Sequence, residues 1–219
     1  MNTGTVGVFK ENIWLSTLSF FAFGIFLVIL FNVVNEGYIL VIDRWVSMNI
    51  TALQTEELTK KVIFLTNLNG IIASTVIFVG MMAFFWYKKW YRDLWFFILS
   101  FGGATLLFNI VKFSIERARP DSRIIEAFGY SFPSGHSTTS MTLALAFYFI
   151  FVKRIHSGSL RIVLLLACIV WPLIIASSRV YLNVHWFSDV AAGLVLGLFW
   201  VTLVETVYPH DNTRVKEEI

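Results

Sequence analysis

The chain has 219 residues, 57% of them hydrophobic and only 14% charged, with a mean hydropathy of +0.73; soluble domains carry about 25% charged residues, so an ordinary water-soluble domain is excluded and the bulk of the chain belongs in lipid. Lys and Arg number 17 against 14 Asp and Glu, a formal charge of +3 with no basic tract, so no nucleic-acid partner is expected. The single cysteine, Cys168, sits in an apolar run and rules out an internal disulfide framework or thiolate metal cluster.

The first apolar run, Trp14 to Val34, follows Lys10 and Glu11. It is too long for a secretory signal peptide and has no small-residue cleavage site, so it is expected to remain as a membrane helix. Residues 35–69 mix Asp43, Arg44, Glu56, Glu57, Lys60 and Lys61 with Ile, Leu, Val and Trp, which predicts amphipathic interfacial helices or a structured loop rather than a span. Further apolar runs cover about 70–87, 94–111, 136–152, 162–179 and 190–207, separated by Lys88-Lys89, Lys153-Arg154 and short polar turns. These runs are continuous, not alternating, so helices rather than a closed barrel satisfy the backbone.

The expected fold is therefore all-α, an integral membrane bundle of six transmembrane helices with an interfacial helical loop after the first. No linker, low-complexity stretch or repeat divides residues 1–219, so one domain is expected. Gly193 and Gly197, four apart in the last run, predict close approach of a neighbouring helix. Pro172 predicts a kink, and Trp86, Tyr87, Trp90 and Trp95 an aromatic belt. With both termini on one side, that side carries nine basic residues and the other eight; setting aside Lys112, Arg119 and Arg179 as site residues leaves nine against five, so the termini are expected in the cytoplasm.

Charge at the ends of apolar spans is costly and marks function. Lys112 and Arg119 are seven apart, two helical turns on one face, before Pro120 turns the chain out of the helix, so two cations can converge on one anion. Phe132-Pro133-Ser134-Gly135-His136-Ser137 opens an apolar run with free backbone N–H groups, a phosphate cradle holding a histidine. In the third stretch, Ser178 to Asp189, His185 and Asp189 are four apart; on a helix the carboxylate can accept one imidazole N–H and leave the other nitrogen as a nucleophile. All three lie at the same membrane face, and their cations, imidazoles and helix start point to phosphoryl transfer.

The three stretches resemble the signature of the type-2 phosphatidate phosphatase superfamily, the lipid phosphate phosphatases related to the vanadium haloperoxidases. Its parts are a Lys, six residues and Arg-Pro (Lys112 to Pro120); Pro-Ser-Gly-His (Pro133 to His136); and Ser-Arg, five residues, His, three residues, Asp (Ser178 to Asp189). The resemblance implies a metal-independent membrane hydrolase of lipid phosphates, with His185 as nucleophile, Asp189 orienting it and His136 as general acid and base. It also implies phosphate held by Lys112, Arg119, Arg179, Ser134 and Gly135, a phosphohistidine intermediate, and no cofactor or metal.

The expected substrates are lipid mono- or diphosphates such as undecaprenyl diphosphate, phosphatidylglycerophosphate or phosphatidate, met at the extracytoplasmic face of the cell membrane. No obligatory protein partner is evident. A phosphotransferase passing the phosphoryl group to a lipid or sugar hydroxyl, and a non-enzymatic lipid transporter, are the rival readings. Glu116, Arg117, Asp121, Arg123 and Glu126 are expected to be solvated loop charges, although Arg123 could meet a second phosphate. Tyr181, Asn183 and Trp186 are expected to pack or to anchor at the interface.

Overall fold

In the computed structural model, which describes residues 3–209, long apolar runs become helices because nothing else satisfies their backbone in lipid. In chain order these are α1 (Thr3–Val34), α2 (Ile39–Ile50), a 3-10 turn (Thr51–Leu53), α3 (Glu56–Asn67), α4 (Ile71–Tyr87), α5 (Tyr91–Ile115), α6 (Gly135–Val152), α7 (Gly158–Tyr181) and α8 (Phe187–Val207), with no strand among the described residues. Six helical stretches are long and apolar enough to cross a membrane: Ile13–Val34, Glu56–Tyr87, Tyr91–Ile115, Gly135–Val152, Gly158–Tyr181 and Phe187–Val207. The all-α six-span bundle is thus as expected, and α2 with the 3-10 turn supplies the helical stretch after the first span; α3, expected in that stretch, instead runs on with α4 as part of the second span. Side chains such as Phe20, Phe31, Ile71, Ile72 and Leu106 point outward, a surface that suits hydrocarbon and not water.

Local signals set the helix starts. Thr55, Ser134 and Ser157 each accept a hydrogen bond from the backbone N–H three residues on, capping α3, α6 and α7. Pro172 lies inside α7. Trp86, Tyr87 and Trp95 are exposed near the α4–α5 corner, where an aromatic belt is expected.

The most enclosed span is α8, half buried along its length, with α1, α5 and α6 packed on it. At the end bearing the N-terminus of α8, Phe26, Ile29, Val33, Phe132, Ala192 and Leu196 form one apolar cluster that pins the Phe132–Pro133 turn between α1 and α8. At the opposite end Phe85, Phe96, Phe97, Ile150 and Val201 form another. There Arg154 pairs with Asp93 at 2.5 Å and lies 4.0 Å over the Trp90 ring.

Gly193 and Gly197 do what their spacing predicts, letting α6 approach α8 backbone to backbone. A Cβ at Gly193 would stand 2.6 Å from the Ser134 carbonyl oxygen, and one at Gly197 2.8 Å from that of Thr138. Backbone cannot step aside as a flexible side chain can, so Gly193→Ala should cost about 1–3 kcal/mol of overpacking. The expected result is a lower Tm in detergent, whereas Gly24→Ala, with nothing within 4 Å of the added methyl, serves as the control. Equal melting of the two variants would contradict the close approach.

Candidate active site

The first stretch departs from the predicted geometry. Helix α5 stops at Ile115 because Glu116 takes a left-handed conformation, φ 52°, and its N–H bonds back to the Lys112 carbonyl as a C-cap. Lys112 therefore lies in the last helical turn, while Arg119 lies beyond the helix, and the two do not share a helix face. They converge by another route. The loop folds back, with Ser131 N–H donating to the Arg117 carbonyl at 2.8 Å, so that Lys112 Nζ and Arg119 Nη2 both donate to the Tyr130 carbonyl, at 3.0 and 3.1 Å.

Arg119 is held almost wholly by main chain. Nε donates to Gly129 O, Nη1 to Val184 O and Nη2 to Phe128 O as well as Tyr130 O, and the remaining contact is Nη1 to His185 Nε2 at 3.1 Å. A guanidinium only donates, so Nε2 of His185 is the acceptor in that contact and the ring proton sits on Nδ1. His185 is 3% exposed. Burial above all, and then the positive charges of Arg119, Arg179 and Lys112, hold its pKa well below the usual imidazole value, which keeps the ring neutral.

His185 and Asp189 also do not share a helix. Helix α8 begins at Phe187, so His185 precedes it while Asp189 sits in its first turn. Asp189 Oδ2 accepts from the Trp186 N–H at 2.9 Å, satisfying an otherwise orphan donor. The same oxygen is 3.4 Å from His185 Nδ1, near enough for electrostatic attraction but without hydrogen-bond geometry. The other oxygen, Oδ1, accepts from Arg117 Nη1 at 2.6 Å.

The second stretch is tied directly to the third. Ser134 N–H donates to the Asp189 carbonyl at 2.9 Å, and Ser134 Oγ accepts from the hydroxyl of Ser137 at 3.0 Å. Gly135 opens α6, where an added Cβ would press on the Phe108 ring at 3.2 Å. His136 follows, within electrostatic range of Arg179, His185, Arg119 and Lys112. Its carbonyl accepts from Asn69 Nδ2 at 3.1 Å.

Arg179, in the last turn of α7, is 6% exposed and donates from Nη1 to Thr66 Oγ1 at 3.1 Å, while its Nε is buried with no partner. A buried cationic N–H without an acceptor is costly, and here it borders two imidazoles and two further cations. The predicted residues Lys112, Arg119, Ser134, Gly135, His136, Arg179, His185 and Asp189 are thus brought to one end of the bundle. The group can hold an anion beside a neutral imidazole nitrogen, with α6 presenting its N-terminus. That arrangement stabilises charge developing on a phosphoryl group. Among the described residues no three His, Cys, Asp or Glu side chains gather as a metal site.

Arg117 corrects the expectation of a solvated loop charge. Its side chain is 12% exposed and bridges Asp43 and Asp189 at 2.7 and 2.6 Å, because the carboxylate of Asp43, buried on the inward face of α2, requires a cation. Glu116, Asp121, Arg123 and Glu126 are exposed as expected. Tyr181, Asn183 and Trp186 are structural: the Tyr181 hydroxyl meets Thr59 at 3.1 Å, Asn183 bonds Ser47 and Ser122, and Trp186 Nε1 donates to Ala118 O. Asn69 and Thr66, at the α3–α4 break, escape sequence reasoning because neutral polar side chains in an apolar segment have many ordinary roles.

The chain is similar to proteins named as lipid phosphatases. A family model described as the PAP2 superfamily matches residues 93–212, which contain all three stretches. Phosphatidylglycerophosphatase B of Bacillus subtilis (strain 168) is 32% identical over 140 residues, covering 63% of this chain and 68% of that protein. Lipid A 1-phosphatase of Rhizobium johnstonii is 34% identical over 141 residues, covering 59% of this chain and 53% of that protein. The crystal structure of a transmembrane PAP2 type phosphatidylglycerolphosphate phosphatase from Bacillus subtilis superposes with a TM-score of 0.77 at 26% identity, over 92% of this chain and 96% of that one.

Proposed function

The chain belongs to the PAP2 superfamily as a multi-pass membrane hydrolase of lipid phosphates, and we propose that it removes the terminal phosphate of a lipid mono- or diphosphate through a phosphohistidine. The observation that carries this reading is the buried His185, whose Nε2 meets Arg119 Nη1 at 3.1 Å with Lys112 and Arg179 also in electrostatic range.

In the first step Nε2 attacks phosphorus, the bond from phosphorus to the lipid oxygen breaks, and His136, drawn into its imidazolium form by the negative charge of the bound phosphate, protonates that oxygen. Arg119 Nη1 exchanges its contact with Nε2 for a phosphoryl oxygen, while Lys112, the free Nε of Arg179 and the Ser134–Gly135 segment take the others. In the second step neutral His136 removes a proton from water as it attacks the phosphohistidine, releasing inorganic phosphate and restoring His185.

Asp189 holds the Nδ1–H tautomer that leaves Nε2 able to react. A single domain, residues 1–219, is proposed as the catalytic unit. No metal, cofactor or obligatory protein partner is assigned a role, because the cations neutralise the transferred group.

The site lies at the ends of membrane helices, so the substrate is an amphiphile whose phosphate reaches headgroup level. Undecaprenyl diphosphate, phosphatidylglycerophosphate and phosphatidate fit that description, and exposed Arg123, beside Arg119, suits a second phosphate. Taking buried Arg117 out of the basic count leaves Arg44, Lys60, Lys61 and Arg123 against nine on the other side. This supports cytoplasmic termini and a site on the extracytoplasmic face of the cell membrane.

The test is orthophosphate release by the detergent-solubilised protein from a panel of these lipids. Release is expected to survive EDTA and to be inhibited by vanadate, a mimic of the five-coordinate transition state. Complete loss in EDTA restored by Mg²⁺ would overturn the metal-free mechanism. Phosphoryl groups appearing on a hydroxyl acceptor instead of as orthophosphate would replace hydrolysis with transfer.

A further inference from the structure

Arg117 stands outside the signature positions, yet its guanidinium is the joint between three elements. Nη2 donates to Asp43 Oδ2 on α2 at 2.7 Å, and Nη1 donates to Asp189 Oδ1 at 2.6 Å and Ser188 Oγ at 2.7 Å. Its Cζ lies 5.5 Å from the Trp186 ring centre, within range of a cation–π contact. Asp43, 1% exposed, grips the same turn: Oδ1 accepts the Ser188 N–H at 2.8 Å and Oδ2 accepts the Ser188 hydroxyl at 2.6 Å. The first turn of α8, which carries Asp189, is therefore clamped by α2 from one side and by the loop after α5 from the other.

The charges fix what this clamp does. Arg117 alone would neutralise Asp189. Asp43 takes half of the guanidinium, so the trio keeps one net negative charge, and the Asp189 oxygen that Arg117 does not hold is the one 3.4 Å from His185 Nδ1. We propose that Arg117 and Asp43 are positioning residues for the reaction, orienting Asp189 toward His185 and preserving the negative charge that holds the imidazole in its nucleophilic tautomer. The interfacial helix α2 thereby becomes part of the catalytic apparatus. The inference rests on His185 being the nucleophile.

The test uses the full chain in detergent, with Asp43→Asn and Arg117→Gln assayed for kcat, KM and pH dependence. The charged and titratable groups facing the pair His185 and Asp189 are Asp43 from α2, Lys112 from α5, Arg117 and Arg119 from the loop, His136 from α6 and Arg179 from α7. Asp43→Asn keeps the shape but removes a negative charge, so protonation nearby becomes harder and the acid limb of kcat/KM moves to lower pH. Arg117→Gln leaves two buried carboxylates, and the limb moves to higher pH.

Both variants are expected to lose kcat by about 10- to 100-fold, the range found when hydrogen-bonding partners that orient metal ligands are removed, with KM little changed. Arg117→Lys, which keeps the charge but cannot fork between two carboxylates, should lose kcat with its acid limb unmoved. Limbs that stay at the wild-type pH in both Asp43→Asn and Arg117→Gln, or wild-type kcat in either, would overturn the proposal. If Arg117→Gln fails to fold, Asp43→Asn and Arg117→Lys decide it by the same two readouts. Full turnover by His185→Ala would instead reject the nucleophile on which the inference stands.

Discussion

Replacing His185 with Ala is expected to end phosphate release from every substrate, with kcat/KM falling on the order of 10⁴-fold or more. A nucleophile takes part in the step common to all leaving groups, so an activated aryl phosphate should fare no better than a lipid phosphate. The cations, the α6 start and the rest of the fold remain, so the protein should still bind phosphate as a competitive ligand and melt near the wild-type temperature. Rapid-quench measurement with nitrophenyl phosphate should show no nitrophenol burst, and acid-labile phosphate on the protein should vanish. Turnover of the aryl substrate at near wild-type rate would remove His185 from the reaction.

His136→Ala should behave differently, because a general acid matters in proportion to how poor the leaving group is. Such a group contributes typically 10²- to 10⁴-fold, about 3 to 5 kcal/mol. A lipid alkoxide needs the proton and a nitrophenolate scarcely does, so the variant should lose that full factor on a phosphomonoester of a lipid alcohol. Toward nitrophenyl phosphate it should retain a burst. If His136 also activates the second-step water, the phosphohistidine then accumulates after the burst and steady-state release stays slow. A burst in His185→Ala with none in His136→Ala would reverse the two assignments.

The bundle and the residues of the site were legible because lipid makes both apolar length and misplaced charge conspicuous. Six continuous runs required helices, and Lys112, Arg179, His185 and Asp189 stood at span ends where an unneeded charge is expensive. Helix boundaries were harder to read. Nothing in Glu116 announces a left-handed C-cap, a conformation sequence reasoning assigns to Gly or Asn, so α5 was expected to carry Arg119 and instead ends at Ile115.

Likewise α8 starts at Phe187, one residue after the Trp186 N–H that Asp189 accepts, which separates His185 from the helix it was expected to share. Arg117 was hidden for a different reason. Its burial depends on Asp43, 74 positions away in the sequence, and no local pattern links an isolated carboxylate in an interfacial stretch to an arginine in a distant loop.

The setting of Arg119 bears on how this chain can diverge over evolution. Its side chain is caged by the carbonyls of Phe128, Gly129, Tyr130 and Val184, and a carbonyl oxygen is supplied by any amino acid. Descendants can therefore exchange the exposed side chain at 128 and the half-buried one at 130 for the sake of membrane depth or substrate tail without loosening the guanidinium, provided that the main chain keeps its path, whereas Val184 is fixed by its own burial. Position 129 is the exception, since its φ of +70° is one that residues with a Cβ rarely adopt. The cage is thus written in backbone course rather than side-chain identity, and the loop around the proposed catalytic centre is left open to drift, with one glycine as its anchor.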